Sequence, residues 1–346
     1  MLEENGLTNA KAATTPGTAG LRADPKDGVS ALTSEEATHY RRTVGKLIWM
    51  IPLRPDINYC TKELSRSLQS PTMEDKAKMR HLLRYLKGTE DYMLILEPRL
   101  TTSAQATIEI HTFVDSDWAG CRTTRKSTSG AILQVLGCTI HHFSKTQGSI
   151  ATSSAEAALY AIGSGTAEAL GLVNFLQETK LGPKTTLHVH TDSSSAKTIS
   201  TRIGVSKLTK HIALRYLYMQ DLVQAGTLRI RKVGTSENPA DVLTKCVSSH
   251  ILGHHLATIG LGSNAFDIGE YSTSTPIFGI TRSFPKSLGS KPLRVCSLWI
   301  AGDSQVNTTS ATSPSQVPNQ NTTRATSCSQ VQNKPRRTIS TTMKKL

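Results

Sequence analysis

The spacing of apolar residues changes near residue 107, and this change constrains the fold more than any other feature of the chain. Apolar residues recur at helical spacing before it, whereas strand-like runs alternate with helical runs after it. Strands are predicted in IEIHTFVD, SGAILQVLG, TIHHFSK, TTLHVHTD and TLRIRKV. Helices are predicted over 153–180, in TKHIALRYLYMQDLVQAG and from NPADVLTK onward. The order βββαβαβα predicts an α/β (α+β) fold, a mixed sheet flanked by helices.

Composition separates the chain into regions. The start is polar and rich in Gly, Ala and Thr, which predicts a disordered linker. Ser34, followed by two glutamates, has the signature of a helix N-cap and opens a helical segment. The far end is dominated by Ser, Thr, Asn, Gln and Pro, which cannot bury enough apolar surface to fold alone. Linker, helical segment, sheet domain and basic low-complexity tail are predicted over 1–33, 34–100, 107–250 and 265–346.

The chain is basic, but its charge is unevenly placed. The formal net charge is +14, and ten Lys or Arg against one acid from residue 271 onward leave 14 − 9 = +5 for the rest. Charge alone is therefore weak support for a polyanion-binding folded part. Six scattered cysteines without CxxC spacing indicate reduced thiols, an intracellular chain and no structural zinc. Neither a signal peptide nor a membrane span is predicted.

Four acidic residues are predicted to fall at the ends of elements. Asp115 and Asp192 end strands, while Glu156 and Asp241 stand near the starts of helices. Taken singly, each acid is more typical of a cap or a surface residue than of a metal ligand. Gathered at one sheet edge, with no basic partner nearby in sequence, they would repel one another and need a cation. Oxygen ligands suit Mg²⁺ or Mn²⁺, and two such ions about 4 Å apart activate water against a phosphodiester.

Several motifs, in order, carry a resemblance to a known family. FVDSDWAGCRTTRKSTSG, SSAEAALYAI, HTDSSSA, TKHIALRY and NPADVLTK resemble the ribonuclease H domain of copia-type retrotransposon polyproteins. Upstream, VGKLIWMIPLRPDINY, SPT and LLRYLKGT resemble the segment between the polymerase and ribonuclease H domains of the same polyproteins. The match runs from about Tyr40 to Lys245. The resemblance implies a ribonuclease H-like, five-stranded mixed sheet with flanking helices.

The resemblance also implies roles for individual residues. Asp115, Asp192 and Asp241 match three catalytic aspartates that bind Mg²⁺ or Mn²⁺. Asp117 matches the second acid of the D-x-D-W-A signature, which is expected near the site without being a principal ligand. The implied partners are an RNA–DNA hybrid and the rest of the Pol polyprotein, with no membrane. The implied location is the cytoplasm, in a virus-like particle, or the nucleus.

The chain departs from the family at the catalytic glutamate. The family pattern is S-S-x-E-A-E, and its second glutamate best matches the metal ligand. This chain has Ala158 in that place and keeps only Glu156. Residues two apart on a helix point about 200° from one another, so Glu156 does not simply replace a residue at 158. Glu156 remains the fourth predicted catalytic and metal-binding residue because it is the only glutamate that the motif retains.

Other polar residues are weaker candidates. His211 is either a phosphate contact or, more typically, a surface residue of its helix. His188 and His190 on the fourth strand are more typical of packed or surface residues than of ligands. Either a nucleic-acid-binding face or an ordinary solvated face is predicted for Lys210, Arg215, Arg229, Arg231 and Lys232.

Two functions of different classes follow. The first is metal-dependent cleavage of the RNA strand of an RNA–DNA hybrid, with discrimination by 2′-hydroxyl contacts and duplex shape. The second is a catalytically impaired, nucleic-acid-binding transposon remnant, which Ala158 favours. A polymerase is excluded, because such an enzyme needs adjacent aspartates in a Y-x-D-D stretch and the chain has none.

Overall fold

A computed structural model describes residues 1–22, 29–98, 107–181, 184–204, 210, 212 and 217–263, with the backbone of 293–296. No helix in these ranges is long and apolar enough to cross a bilayer. A short 3-10 helix spans Pro239–Leu243. The helices and strands in chain order are α1 (Ser34–Met50), α2 (Asn58–Ser65), α3 (Met73–Lys87), β1 (Met93–Leu96), β2 (Ile108–Asp117), β3 (Thr128–Val135), β4 (Cys138–Thr146), α4 (Ser154–Glu178), β5 (Thr185–Thr191), α5 (Ser194–Thr201), α6 (Tyr218–Gln224), β6 (Leu228–Lys232), α7 (Ser249–Ile259), β7 (Leu261–Gly262) and β8 (Leu293–Cys296).

Five strands form the predicted sheet in the order β4-β3-β2-β5-β6. Within this sheet, β3 pairs antiparallel with both β2 and β4, whereas β5 and β6 run parallel to β2. Leu136 and Gly137, both at positive φ, make the tight turn between β3 and β4. The parallel pair needs a long crossover, and α4 provides it between β4 and β5. The five-stranded mixed sheet with flanking helices is therefore confirmed.

Helix α4 lies close against the centre of the sheet because a glycine faces the strands. A Cβ added to Gly165 would lie 2.5 Å from Cγ1 of Val114 on β2. Any larger residue would push the helix away from the strand that carries Asp115. Apolar side chains fill the remaining space between helix and sheet, among them Ile110, Leu133, Leu159, Ile162, Ala169, Leu187, Val189 and Ile230.

Histidines stack on the face of the sheet opposite α4. His111 on β2 is in register with His188 on β5, and Phe113 with His190. The centroid of the His111 ring lies 5.2 Å from that of His188 and 5.3 Å from that of His190. His111 Nδ1 is 3.1 Å from His190 Nε2. His188 and His190 are buried, so they are packed residues, as the sequence predicts.

These buried rings should make stability depend on acidity. The pKa of His188 is lowered to about 4 and that of His190 to about 3, chiefly by burial. Unfolded histidines protonate near pH 6.5, so the unfolded state binds more protons as the pH falls below that value. The folded state is therefore most stable above about pH 6.5, where these histidines are neutral in both states. That stability decreases as the pH falls towards about 4. Each such histidine removes up to about 1.4 kcal/mol of unfolding free energy per pH unit in this window.

Urea unfolding between about pH 4.5 and 7.5 measures this dependence. His188→Leu should flatten the slope of unfolding free energy against pH, because an apolar side chain takes up no proton. His250→Leu is the control, since this residue of α7 is exposed and its ring meets water in both states. Equal slopes for the wild type and His188→Leu would contradict the expectation.

Capping boxes open the helices of the predicted helical segment. The Thr33 hydroxyl accepts a hydrogen bond of 3.3 Å from the Glu36 backbone N–H, and the Glu36 carboxylate accepts one of 3.2 Å from the Thr33 N–H. The cap of α1 is therefore Thr33, one residue before the predicted Ser34. Thr72 and Asp75 repeat the arrangement at α3. Such caps satisfy backbone donors that a helix leaves open.

The helical segment and the sheet domain share one hydrophobic core. Asn58 Nδ2 on α2 lies 3.0 Å from His142 Nδ1 on β4, and Lys62 donates a 2.8 Å hydrogen bond to Thr128 on β3. The two predicted regions therefore pack against each other rather than standing apart. Their common core includes Tyr40, Leu47, Ile57, Leu82 and Leu86 from the helices and Ile132, Val242 and Leu243 from the sheet domain.

The first 22 residues are packed, so the predicted disordered linker over 1–33 is wrong for this part of it. Arg80 on α3 donates a 2.8 Å hydrogen bond to the carbonyl of Asn5, and Arg84 donates one of 2.6 Å to that of Lys11. The apolar residues of this segment are too sparse to show a period, and its carbonyl anchors leave no mark in a sequence. Its buried leucines are Leu2, Leu7 and Leu21.

A second, three-stranded sheet has the order β7-β1-β8. Its last strand, Leu293–Cys296, lies within the predicted low-complexity tail and pairs antiparallel with β1. The rest of the predicted tail over 265–346 lies outside the described residues. The described chain thus continues beyond the predicted domain end at residue 250, through α7 and β7.

Candidate functional site

The register of two parallel strands places Asp115 and Asp192 at one sheet edge. β2 and β5 are neighbours, and their last paired residues are Val114 and Thr191. Asp115 and Asp192 are the next residues along their chains, and adjacent strands lie about 4.8 Å apart. Asp115 is buried, with 7% of its surface exposed. The strand register therefore places the two aspartates side by side, as the sequence predicts.

The 3-10 helix Pro239–Leu243 docks at the same edge. Its N-cap residue, Asn238, donates a 2.9 Å hydrogen bond to the carbonyl of Val114, directly before Asp115. The Thr244 hydroxyl, at the other end, donates to Oδ2 of Asp115. Gly130 on β3 permits this approach, because an added Cβ would lie 2.7 Å from Cβ of Leu243. The docking holds the Asp241 segment against the end of β2, although the predicted α-helix here is a 3-10 helix.

The pKa of Asp241 reflects burial and repulsion among the carboxylates at this edge of the sheet. Its pKa is raised to about 7, first by burial and then by the negative charge of Asp115, with a smaller contribution from Asp192. The hydrogen bond from Lys245 opposes this shift, with Nζ 2.9 Å from Oδ2 of Asp241. Oδ1 of Asp241 is buried and has no hydrogen-bond partner among the described residues. Three carboxylates therefore act on one another here, and an ammonium group is in contact with one of them.

Lys245 is a functional candidate that the sequence reasoning overlooks. The expectation that the acids have no basic residue nearby in sequence is wrong, because Lys245 follows Asp241 by four residues. Burial lowers the pKa of Lys245, but the carboxylates of Asp115, Asp241 and Asp192 outweigh burial, so the net pKa is raised. The signal that could have found this pair is the i, i+4 spacing of acid and base in NPADVLTK.

Glu156 is held by its own helix start and does not join the aspartates as predicted. Oε2 accepts hydrogen bonds of 2.7 Å from the backbone N–H of Thr152 and 2.6 Å from its hydroxyl. Oε1 accepts a hydrogen bond from the hydroxyl of Tyr160, one turn later. The Glu156 N–H donates to the N-cap Ser153. The carboxylate is buried and serves to close the first turn of α4.

Ala158 belongs to the apolar core that α4 makes with the sheet. It is 9% exposed and lies in the cluster that contains Leu159 and Ile162. The N-terminal half of α4 is buried on several sides, which also explains why Glu156, on another face, is buried. A methyl group thus stands at the position where the family pattern places its second glutamate.

The other residues named from the sequence differ in their contacts and in their exposure to solvent. Asp117 accepts a hydrogen bond from the backbone N–H of Thr128, so it fastens β2 to β3, in keeping with its predicted secondary role. Lys232 donates to the backbone carbonyl of Asp192. His211 and Arg215 lie outside the described residues. Exposed or partly exposed positions are occupied by Lys210, Arg229 and Arg231.

A divalent metal is the cofactor that the resemblance implies, and the residues as placed do not fit a two-metal centre. The unpartnered Oδ1 of Asp241 is a donor suited to a cation. However, Glu156 is occupied by hydrogen bonds and residue 158 has no carboxylate. No three His, Cys, Asp or Glu side chains in the described ranges are grouped so as to hold a metal ion. The predicted ligands are Asp115, Glu156, Asp192 and Asp241: the three aspartates interact at the sheet edge, whereas Glu156 is hydrogen-bonded at the start of α4.

The sheet order, with aspartates following β2 and β5 and a third from the C-terminal side, agrees with the ribonuclease H-like fold that the sequence resemblance implies. The curated relatives are retrovirus-related Pol polyproteins. The Pol polyprotein from transposon TNT 1-94 of Nicotiana tabacum is 33% identical over 273 residues, covering 76% of this chain and 20% of the relative. That from transposon RE1 of Arabidopsis thaliana is 30% identical over 264 residues, covering 75% and 17%. The chain is a homologue of the retrovirus-related Pol polyproteins of copia-type transposons.

The match spans a fifth or less of the length of these polyproteins. No family model matches the chain. Among solved structures, similarity is found to the N-terminal ribonuclease H domain of Rv2228c from Mycobacterium tuberculosis, at 16% identity and a TM-score of 0.29. That similarity covers 40% of this chain and 91% of the other. A TM-score this low does not by itself assign a fold.

Proposed function

We propose that this chain is a ribonuclease H-like domain that binds RNA–DNA hybrid and has lost most of the metal-dependent cleavage of the RNA strand. One observation carries the loss of cleavage. The only glutamate left in the motif, Glu156, is bound to Thr152 and Tyr160, and Ala158 supplies no carboxylate. The rest of a Pol polyprotein is the proposed context, in keeping with the homologues.

Full metal-dependent cleavage is the second candidate. It is favoured by the aspartates that gather at the edge of the sheet and by the buried, unpartnered Oδ1 of Asp241. Carboxylates in this arrangement are the ligands that Mg²⁺ and Mn²⁺ prefer. The two candidates share the same binding surface and differ in turnover.

Exposed basic residues beside the aspartates support hybrid binding. Arg122 and Arg125 are exposed in the loop that follows Asp117. Lys232 stands next to Asp192, and Arg229 is exposed on the same strand. Phosphate contacts by such residues supply most of the sequence-independent affinity for nucleic acids. A duplex laid across this edge would meet cations on both sides of the carboxylates.

Hybrid binding and cleavage are measured together with a fluorescent RNA–DNA hybrid. Binding is expected in EDTA, with affinity that falls as salt rises, and cleavage in Mg²⁺ is expected to be weak or absent. The double variant Arg122→Ala/Arg125→Ala should weaken binding and reduce the salt slope by about one to two units. The matched control is Arg41→Ala, at an exposed position of α1. Absence of hybrid binding would refute the proposal. Rapid Mg²⁺-dependent cleavage that Asp115→Asn abolishes would favour the second candidate.

A further inference from the structure

A side-chain ammonium already stands among the carboxylates of the sheet edge. Nζ of Lys245 lies 2.9 Å from Oδ2 of Asp241. The Asp241 side chain is 7% exposed and that of Lys245 is 47% exposed, so the contact joins a buried acid to a base that reaches in from the surface. The Lys245 charge also interacts favourably with Asp115 and Asp192. The ammonium therefore contacts one acid, and its charge also acts on the other two.

No other basic group in the described residues takes this position. Lys232 approaches Asp192 through its backbone carbonyl and not through its carboxylate. His255 on α7 is completely buried, and burial lowers its pKa to about 4, so its ring is neutral near pH 7. Oδ2 of Asp115 accepts a hydrogen bond from the neutral Thr244 hydroxyl. Lys245 is thus the cation that compensates the aspartates.

Counting charges shows what the site can still balance. Four carboxylates carry −4, which two divalent ions neutralise. Here Ala158 removes one charge and leaves three aspartates, and the ammonium of Lys245 lowers the magnitude again, so with all three aspartates ionised the charge is −3 + 1 = −2. A site of charge −2 balances one divalent ion, and a second ion would meet net repulsion.

We propose that Lys245 takes the place of one of two metal ions in this carboxylate cluster, so that the chain binds at most one divalent cation. The inference rests on the proposed ribonuclease H-like site but not on hybrid binding. Lys245 is a positioning residue here: its ammonium holds the aspartates together without a metal, and a divalent ion must compete with it.

Mn²⁺ binding to the full chain, without nucleic acid, tests the proposal. Electron paramagnetic resonance of free Mn²⁺ and isothermal titration calorimetry give the number of bound ions and their affinity. The wild type should bind no more than one ion at the aspartates. Lys245→Met should tighten Mn²⁺ binding at least tenfold, because it removes a positive charge and keeps an apolar stem. Lys245→Arg keeps the charge and should bind as the wild type does.

The contrast between the two variants separates charge from structure. A purely structural role of Lys245 would make Lys245→Met and Lys245→Arg behave alike, and that result would overturn the proposal. Two ions bound to the wild type would overturn it as well. Lys245→Gln repeats the test with a polar side chain if the methionine variant fails to fold. Asp241→Asn should abolish the binding seen in any variant, which identifies the site. Failure of hybrid binding would leave all these measurements unchanged.

Discussion

Ala158→Glu is expected to give a chain whose stability and hybrid cleavage both depend on divalent metal. The new carboxylate would lie on the sheet-facing side of α4, in surroundings that bury the alanine. Burying an uncompensated charge costs on the order of 3 kcal/mol, so the metal-free variant should be less stable than the wild type. Mg²⁺ or Mn²⁺ should restore that loss, because a ligand that binds only the folded state raises its stability by mass action. Cleavage in Mg²⁺ should rise at least tenfold above the wild type.

Thermal unfolding with and without Mg²⁺, together with hybrid cleavage, measures the two effects. Ala158→Gln is the matched control, since it has the same size but no charge, and its melting temperature should not respond to metal. Glu156→Ala should lower stability in both conditions, because Thr152 and Tyr160 lose their acceptor. It should leave the response to metal unchanged. A wild type that already cleaves rapidly and is inactivated by Glu156→Ala would show that Glu156 is the ligand.

The element order can be read from the sequence because it depends on local spacing. Alternation in IEIHTFVD and the helical period over 153–180 reflect which side of each element meets the core, and each pattern fits within one element. The parallel pairing that joins Asp115 and Asp192 follows from the long crossover between their strands. The packing of residues 1–22 was beyond such reasoning. It depends on arginines of α3 that bind backbone carbonyls, which every sequence contains.

The candidate site is only partly predictable because its side chains have competing partners. Asp115 accepts a hydrogen bond from the hydroxyl of Thr244, which is 129 residues away, and no local pattern indicates that contact. Glu156 has partners within four residues on either side, but sequence alone does not show whether its carboxylate turns to them or to the aspartates. The Asp241–Lys245 pair is local, and its spacing can be read. Whether the pair belongs to a functional site depends on Asp115 and Asp192, which the strands place beside it.

Arg54→Met is expected to lower the unfolding free energy by about 3 to 5 kcal/mol, the largest stability effect of any substitution considered for this chain. Arg54 is completely buried, as is the Asp56 carboxylate that it binds through Nε at 3.0 Å and Nη2 at 2.7 Å. The guanidinium also donates to the carbonyl and the hydroxyl of Thr89. Removing it leaves Asp56 as a buried charge whose remaining donor includes the hydroxyl of Tyr85.

Denaturant unfolding of matched variants distinguishes the loss of the Arg54–Asp56 ion pair from a simple packing defect. Arg54→Met/Asp56→Asn should recover a large part of the loss, because the orphaned charge is gone, whereas a simple packing defect would persist. Lys46→Met breaks an ion pair of similar length, 2.6 Å to Glu4, but both partners are partly exposed. It should cost no more than about 1 kcal/mol. A loss of no more than about 1 kcal/mol for Arg54→Met would mean that water reaches Asp56 and that its carboxylate does not depend on the Arg54 guanidinium.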